Sequence, residues 1–193
     1  MSGIFIVGVG GAGCDIARHV HVRMRHEVVA VNTDLIGINR TSFSRRLLIG
    51  PQVCKGGAAH TPERGRRAAE ESRKELESMM SGSQLLVLFA GLGGGTGSGA
   101  SPVIVQIARD IGLNVLAAVS LPFSFEHSRR RVALESLHRL RELGVPVFVH
   151  DHAEAEGSIG SVDVALTDVL EKSGATMAYH VSCQLNRLHR SPL

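Results

Sequence analysis

The sequence predicts an α/β domain built on a doubly wound parallel sheet. Three observations carry this expectation. Short apolar runs that read as strands buried on both faces alternate with helical stretches along the whole chain. Two of those runs end in glycine-rich turns that open directly into helices. The length of 193 residues, with 44% apolar and 20% charged residues, suits one ordinary globular domain and hardly two. A chain of this size buries about 70% of the surface that it exposes when unfolded.

Ile4-Phe5-Ile6-Val7 is the first apolar run, closed by glycine and followed by a helical stretch near 13–24. Val28-Val29-Ala30-Val31 is the second strand and ends in Asn32-Thr33-Asp34. Leu47-Leu48-Ile49 is a weaker third, stopped by Gly50-Pro51. After a loop over 51–61, Thr61-Pro62-Glu63 has the order of a helix start: N-cap, proline at the first helical position, acid at the positive dipole end. One helix is expected from Glu63 to Met80, with Gly82 as its stop. Leu85 to Ala90 is the strongest core strand. Val103, Ile104, Ile107, Ala108 and Ile111 then fall at helical spacing. A strand (Val115 to Val119), a helix (about 128–143), a strand (Val147 to Val149) and a last helix from about Ser161 complete the order.

Composition excludes several classes. With no Trp and one Tyr, the chain lacks a stacking platform for single-stranded nucleic acid. The net charge of +3 is a mild excess, so Arg129-Arg130-Arg131 reads first as a solvated face. Cys14, Cys54 and Cys183 are widely spaced, which points to reduced thiols of a cytoplasmic protein and neither a disulfide frame nor a zinc site. No run approaches 18 consecutive apolar residues, so no membrane span is expected, and no basic segment precedes the first strand to suggest an export signal.

The chemistry lies in the two glycine clusters. Gly8-Val9-Gly10-Gly11-Ala12-Gly13 fits G-x-G-x-x-G after a strand and before a helix, where amide N–H groups point at phosphate. With Asp34 at the end of the second strand, this alone also suits a dinucleotide-dependent (NAD(P) or FAD) oxidoreductase. Gly91-Leu92-Gly93-Gly94-Gly95-Thr96-Gly97-Ser98-Gly99 is the second cluster, six glycines in nine residues with two hydroxyls interleaved. Such a loop offers a concave set of N–H donors to a di- or triphosphate, and a plain structural loop does not need six glycines. No G-K-[ST] follows, which excludes a Walker P-loop.

The run Ala90 to Pro102 resembles the signature loop of the tubulin/FtsZ family, in its FtsZ form. Gly8 to Gly13, Val31-Asn32-Thr33-Asp34, Gly56-Gly57 with Pro62 to Ser72, and Pro122-Phe123-Ser124-Phe125-Glu126 resemble the family's other nucleotide loops in the same order. The resemblance covers about residues 3–172; residues 173–193 read as the end of the central helix and a short tail of the same single domain. It implies a GTP/GDP-binding domain, with Mg as a companion ion. Residue by residue, it implies phosphate contacts at Gly10, Gly11, Gly94, Gly95, Thr96 and Gly97, with Ala12, Gly93 and Ser98 as further nucleotide-binding positions of the same loops. Asn32, Asp34 and Gly57 fall in the neighbouring loops. Pro122, Glu126 and Arg130 fall in the sugar-binding segment. Asp151 and Asp168 occupy base-reading positions, although the family's asparagines there have become Asp151 and Thr167. Phe123 and Phe125 read as core residues.

No acid follows Glu171, so the family's catalytic carboxylate loop is not expected in this chain. The implied role is an FtsZ-like accessory protein of cell division or filament regulation that holds nucleotide while a partner subunit completes hydrolysis. The implied partners are a full-length FtsZ-type protein or another copy in head-to-tail contact, with neither nucleic acid nor membrane. A dinucleotide enzyme and a degenerate, non-binding interaction module are the competing readings.

Overall fold

The computed structural model describes residues 3–24, 26–154 and 166–190, with side chains for all of these except 23, 24, 166–169 and 186–190. The elements run β1 (Ile4–Val9), α1 (Gly10–Met24), β2 (Val28–Asn32), α2 (Leu35–Asn39), β3 (Arg45–Leu48), α3 (Pro62–Glu71), α4 (Arg73–Met80), β4 (Leu85–Gly91), α5 (Gly95–Asp110), β5 (Asn114–Leu121), α6 (His127–Glu142), β6 (Val147–Asp151) and α7 (Leu166–Arg190). The strands form one sheet in the order β3-β2-β1-β4-β5-β6, and every neighbouring pair is parallel. The expected doubly wound α/β sheet is therefore the fold.

Unbroken apolar runs become central strands because both sheet faces are covered. Ile6, Val7, Leu86, Val87, Leu88 and Phe89 are all buried. Val7, Leu86 and Leu88 face a core shared with Leu76 of α4, Ile104 and Ile107 of α5 and Leu140 of α6. Ile6, Val87 and Phe89 face the other layer, made by Ile16 and Val20 of α1 and Met177, Val181 and Leu185 of α7. Each such side chain contributes about 1.5–3 kcal/mol when fully buried. The edge strands β3 and β6 are only half-buried.

Four local details depart from the sequence expectation. First, α1 and α5 begin inside the glycine clusters, at Gly10 and Gly95, not after them. Second, α2 is an additional short helix, started by Asp34, whose carboxylate accepts from the N–H groups of Ile36 and Gly37. Third, the expected single helix over 63–80 is interrupted at Ser72, which turns its hydroxyl inward to accept the Gly50 N–H at 3.0 Å. Fourth, Pro102 lies inside α5 and has no N–H for the carbonyl of Ser98 one turn back. The buried hydroxyl of Ser136 on α6 donates to that carbonyl at 2.8 Å instead. The expected start of the last helix near Ser161 falls outside the described residues.

Candidate functional site

The sheet order reverses direction between β1 and β4, and in open α/β sheets ligands bind outside the carboxyl ends of the strands at this switch. Both glycine turns leave the sheet there, so α1 and α5 start side by side. The first four N–H groups of each helix have no partner within the helix, and both dipoles aim positive ends at the same space. A Cβ placed on Gly10 would lie 3.3 Å from the Gly97 amide nitrogen, which measures how closely the turns abut.

Most of the glycines answer to packing. An added Cβ on Gly13 would collide with the Phe89 carbonyl, where α1 crosses β4. One on Gly97 would collide with the Gly91 carbonyl, and one on Gly99 with the Pro62 carbonyl of α3. Gly95 is crowded by the amides of His60 and Thr61, each 2.8 Å from its Cβ position. Gly93 has φ +107 and sits against the ring of Pro122. Gly11 and Gly94 differ: nothing lies within 4 Å of a Cβ at either. These two positions border open space at the starts of α1 and α5. The inference from the sequence that a structural loop does not need so many glycines is thus corrected, because the seam between α3 and α5 requires several of them.

Hydroxyls and amides fix the surrounding loops. Thr33 Oγ1 and Thr96 Oγ1 are 2.8 Å apart and buried, joining the β2 end to the second turn. Ser98 Oγ accepts the Gly93 N–H at 2.7 Å. Asn32 Oδ1 accepts the Thr33 N–H at 2.9 Å, which sets the exit from β2. Both carboxylate oxygens of Asp34 are engaged in capping α2. Gly57 lies in the loop before α3, which Glu71 pins by accepting the N–H groups of Gln52 and Val53. Within that loop Lys55 and His60 hold left-handed backbone, at φ 52 and 59.

On the other flank, Arg130 forks onto Asp151 with bonds of 2.8 and 2.6 Å and also donates to the Pro122 carbonyl at 2.7 Å. Arg130 holds the Asp151 carboxyl below its ordinary range. Glu126 pairs with Arg129 at 2.7 Å, and Arg131 with Glu135 at 2.9 Å. Phe123 is buried as expected, but Phe125 is 58% exposed and stacks on Phe123, so its core assignment is corrected. Asp168 lies on α7, but its side chain is outside the described set.

Two clefts flank the start of α1. One, of about 260 Å³, lies between α1 and α7 and is lined by Ala12, Asp15, Ile16, Ser120, His152 and Gly174. Burial pushes the Asp15 carboxyl up, and burial together with the neighbouring His150 pushes His152 down to about 4. The second, of about 420 Å³, lies towards α2 and is lined by Gly11, Cys14, Gly37, Arg40 and Phe43 among others. Ser120 and His152 were not foreseen as site residues. Neither belongs to a glycine cluster, and only the sheet brings them beside Ala12. Among the described residues, no group of three or more His, Cys, Asp or Glu is arranged to hold a metal ion, and no helix is long and apolar enough to cross a membrane.

The comparisons with known proteins agree with this geometry. Residues 3–154 match the model of the Tubulin/FtsZ family, GTPase domain. The chain is 39% identical over 150 residues to cell division protein FtsZ 1 of Archaeoglobus fulgidus, covering 76% of this chain and 41% of that protein. It is 42% identical over 150 residues to cell division protein FtsZ 1 of Pyrococcus furiosus, covering 76% of this chain and 40% of that protein. The structure of an empty FtsZ dimer from M. jannaschii superposes with a TM-score of 0.86 at 29% identity, covering all of this chain and 57% of that one. The chain thus spans about two-fifths of the length of these curated relatives. Its sheet order, its paired glycine turns and these matches together place the chain in the Tubulin/FtsZ family, as a GTPase domain.

Proposed function

We propose that this domain binds GTP and GDP, with the polyphosphate held between the starts of α1 and α5. The observation that carries the reading is the pair of open glycines, Gly11 and Gly94, one at the start of each helix that leaves the switch point of the sheet. A side chain at either would project into the space that a phosphate needs, while backbone N–H groups and the Thr96 hydroxyl supply donors without desolvating a cation. The nucleoside enters the cleft between α1 and α7, past Ala12 and Ser120. Mg accompanies the phosphates, and we assign it no protein ligand. Against a dinucleotide enzyme stands Asp34, whose two oxygens each accept an N–H that starts α2, so its place at the strand end is explained by capping alone.

In this reading the chain holds nucleotide, and a partner subunit brings the carboxylates that orient the attacking water, since phosphoryl transfer depends mainly on positioning and electrostatics. Its role is that of an accessory, FtsZ-like protein that docks on one end of a filament made by a full-length relative. Calorimetric titration with GTP, ATP and NAD tests the binding: GTP should bind at least tenfold tighter than either. Equal affinity for ATP or NAD rejects the guanine reading. Co-sedimentation with a full-length FtsZ-type filament, with and without GTP, tests the role, and no nucleotide-dependent change in polymer mass rejects it.

A further inference from the structure

We infer that Asp151 is a positioning residue that acts through Arg130 on the sugar–phosphate arm of the nucleotide and does not touch the base. The inference rests on the nucleotide-binding reading above and goes against the base-reading place that the sequence resemblance implies for Asp151. Both of its oxygens are committed. Oδ2 accepts from Arg130 Nη2 at 2.6 Å, and Oδ1 accepts from Arg130 Nη1 at 2.8 Å and from the Ala153 N–H at 3.0 Å. To read the two donors on the edge of guanine, the carboxylate would have to give up a forked, charge-assisted pair that is about three-quarters withdrawn from solvent on both sides.

The same contacts fix Arg130. Its Nη1 hydrogens go to Asp151 and to the Pro122 carbonyl. The Pro122 ring lies 2.7 Å from the Cβ position of Gly93, so the segment that holds the guanidinium rests directly on the second glycine turn. Residue 151 is paired in register with Leu121, which places the carboxylate at the exit of β5 just before Pro122. Arg130, Pro122 and the turn that carries Gly94 therefore form one braced unit. An arginine otherwise loses much rotamer freedom on meeting a ligand, and the planar fork held in advance removes part of that loss.

The alternative is that the pair merely staples the start of α6 to the end of β6. Calorimetric titrations of GTP and ATP against Asp151→Ala, Asp151→Asn, Arg130→Ala and the Arg130→Ala/Asp151→Ala double variant separate the two. Positioning predicts about a tenfold loss of GTP affinity for Asp151→Ala and a smaller loss for Asp151→Asn, which keeps one acceptor oxygen. It also predicts an unchanged GTP-to-ATP preference and a double variant no weaker than Arg130→Ala alone. A changed GTP-to-ATP preference, additive losses, or a lowered melting temperature with GTP affinity intact each overturn it. If Asp151→Ala does not fold, Arg130→Lys takes its place, since it keeps the charge and loses the fork, and it should weaken GTP to a similar degree. If the unsubstituted protein binds no guanine nucleotide, the functional reading falls and this inference with it. Binding that all of these substitutions leave untouched removes this inference alone.

Discussion

In the β1–α1 turn, Gly8 and Gly13 are held by close backbone contacts, Gly10 has φ +71 and Gly11 is open. In the β4–α5 turn, Gly91, Gly93, Gly95, Gly97 and Gly99 all meet protein atoms, and Gly94 alone is open. The second turn is richer in glycine because it has a second neighbour. It lies against β1–α1 on one side and against α3 and the loop before it on the other, where Gly65 and Gly99 let two helices approach to backbone contact. Glycine density thus tracks how many backbones converge, and in these two turns only Gly11 and Gly94 have open space at the Cβ position.

The largest expected effect tests the packed class. Gly99→Ala puts a methyl against the Pro62 carbonyl and 2.7 Å from the Arg66 amide nitrogen, with only backbone to move. It should cost about 3 kcal/mol, read as a lower urea midpoint. An unchanged midpoint breaks the comparison.

The next effect tests the open class. Gly94 has φ −100 and ψ 172, which alanine also adopts, and Gly11 lies in the first turn of α1. Alanine at either should change stability by no more than about 1 kcal/mol, with a gain more readily expected at Gly11. Each should still weaken GTP by tenfold or more, about 1.4 kcal/mol. A variant that binds GTP normally removes that position from the site.

The last effect, spread over a range of pH, concerns the flank of the first turn. His152 has a folded pKa of about 4, below its ordinary 6.5, and burial also lowers His150. The unfolded chain therefore takes up these protons first. The stabilisation is fully present above pH 6.5 and is lost as pH falls towards 4. Unfolding midpoints measured between these limits should decline less for His152→Phe than for the unsubstituted protein. Equal declines mean that His152 titrates as an exposed imidazole.

Much of the fold was legible in the sequence because it rests on local signals. Thr61-Pro62-Glu63 starts α3 as expected, with Thr61 Oγ1 accepting the Arg64 N–H. The apolar runs became β1, β2, β4 and β5 with small changes at their ends. Asp34 was legible as an acid at a strand end but not as a cap, since that depends on where the chain turns after β2. The pairing of Arg130 with Asp151 joins residues 21 apart and carries no periodic signal. Ser120 and His152 were invisible as cleft residues for the same reason.

By itself, the sequence determined that strands alternate with helices and that two turns are rich in glycine, because apolar period and glycine act through the nearest few bonds. Only the tertiary structure decided which glycines face protein and which face open space. It also decided that Ser136 supplies the hydrogen bond that Pro102 cannot make and that Arg130 and Asp151 satisfy each other. The physical reason is that burial and charge pairing depend on distances across the fold, and those are set only when all the layers pack at once.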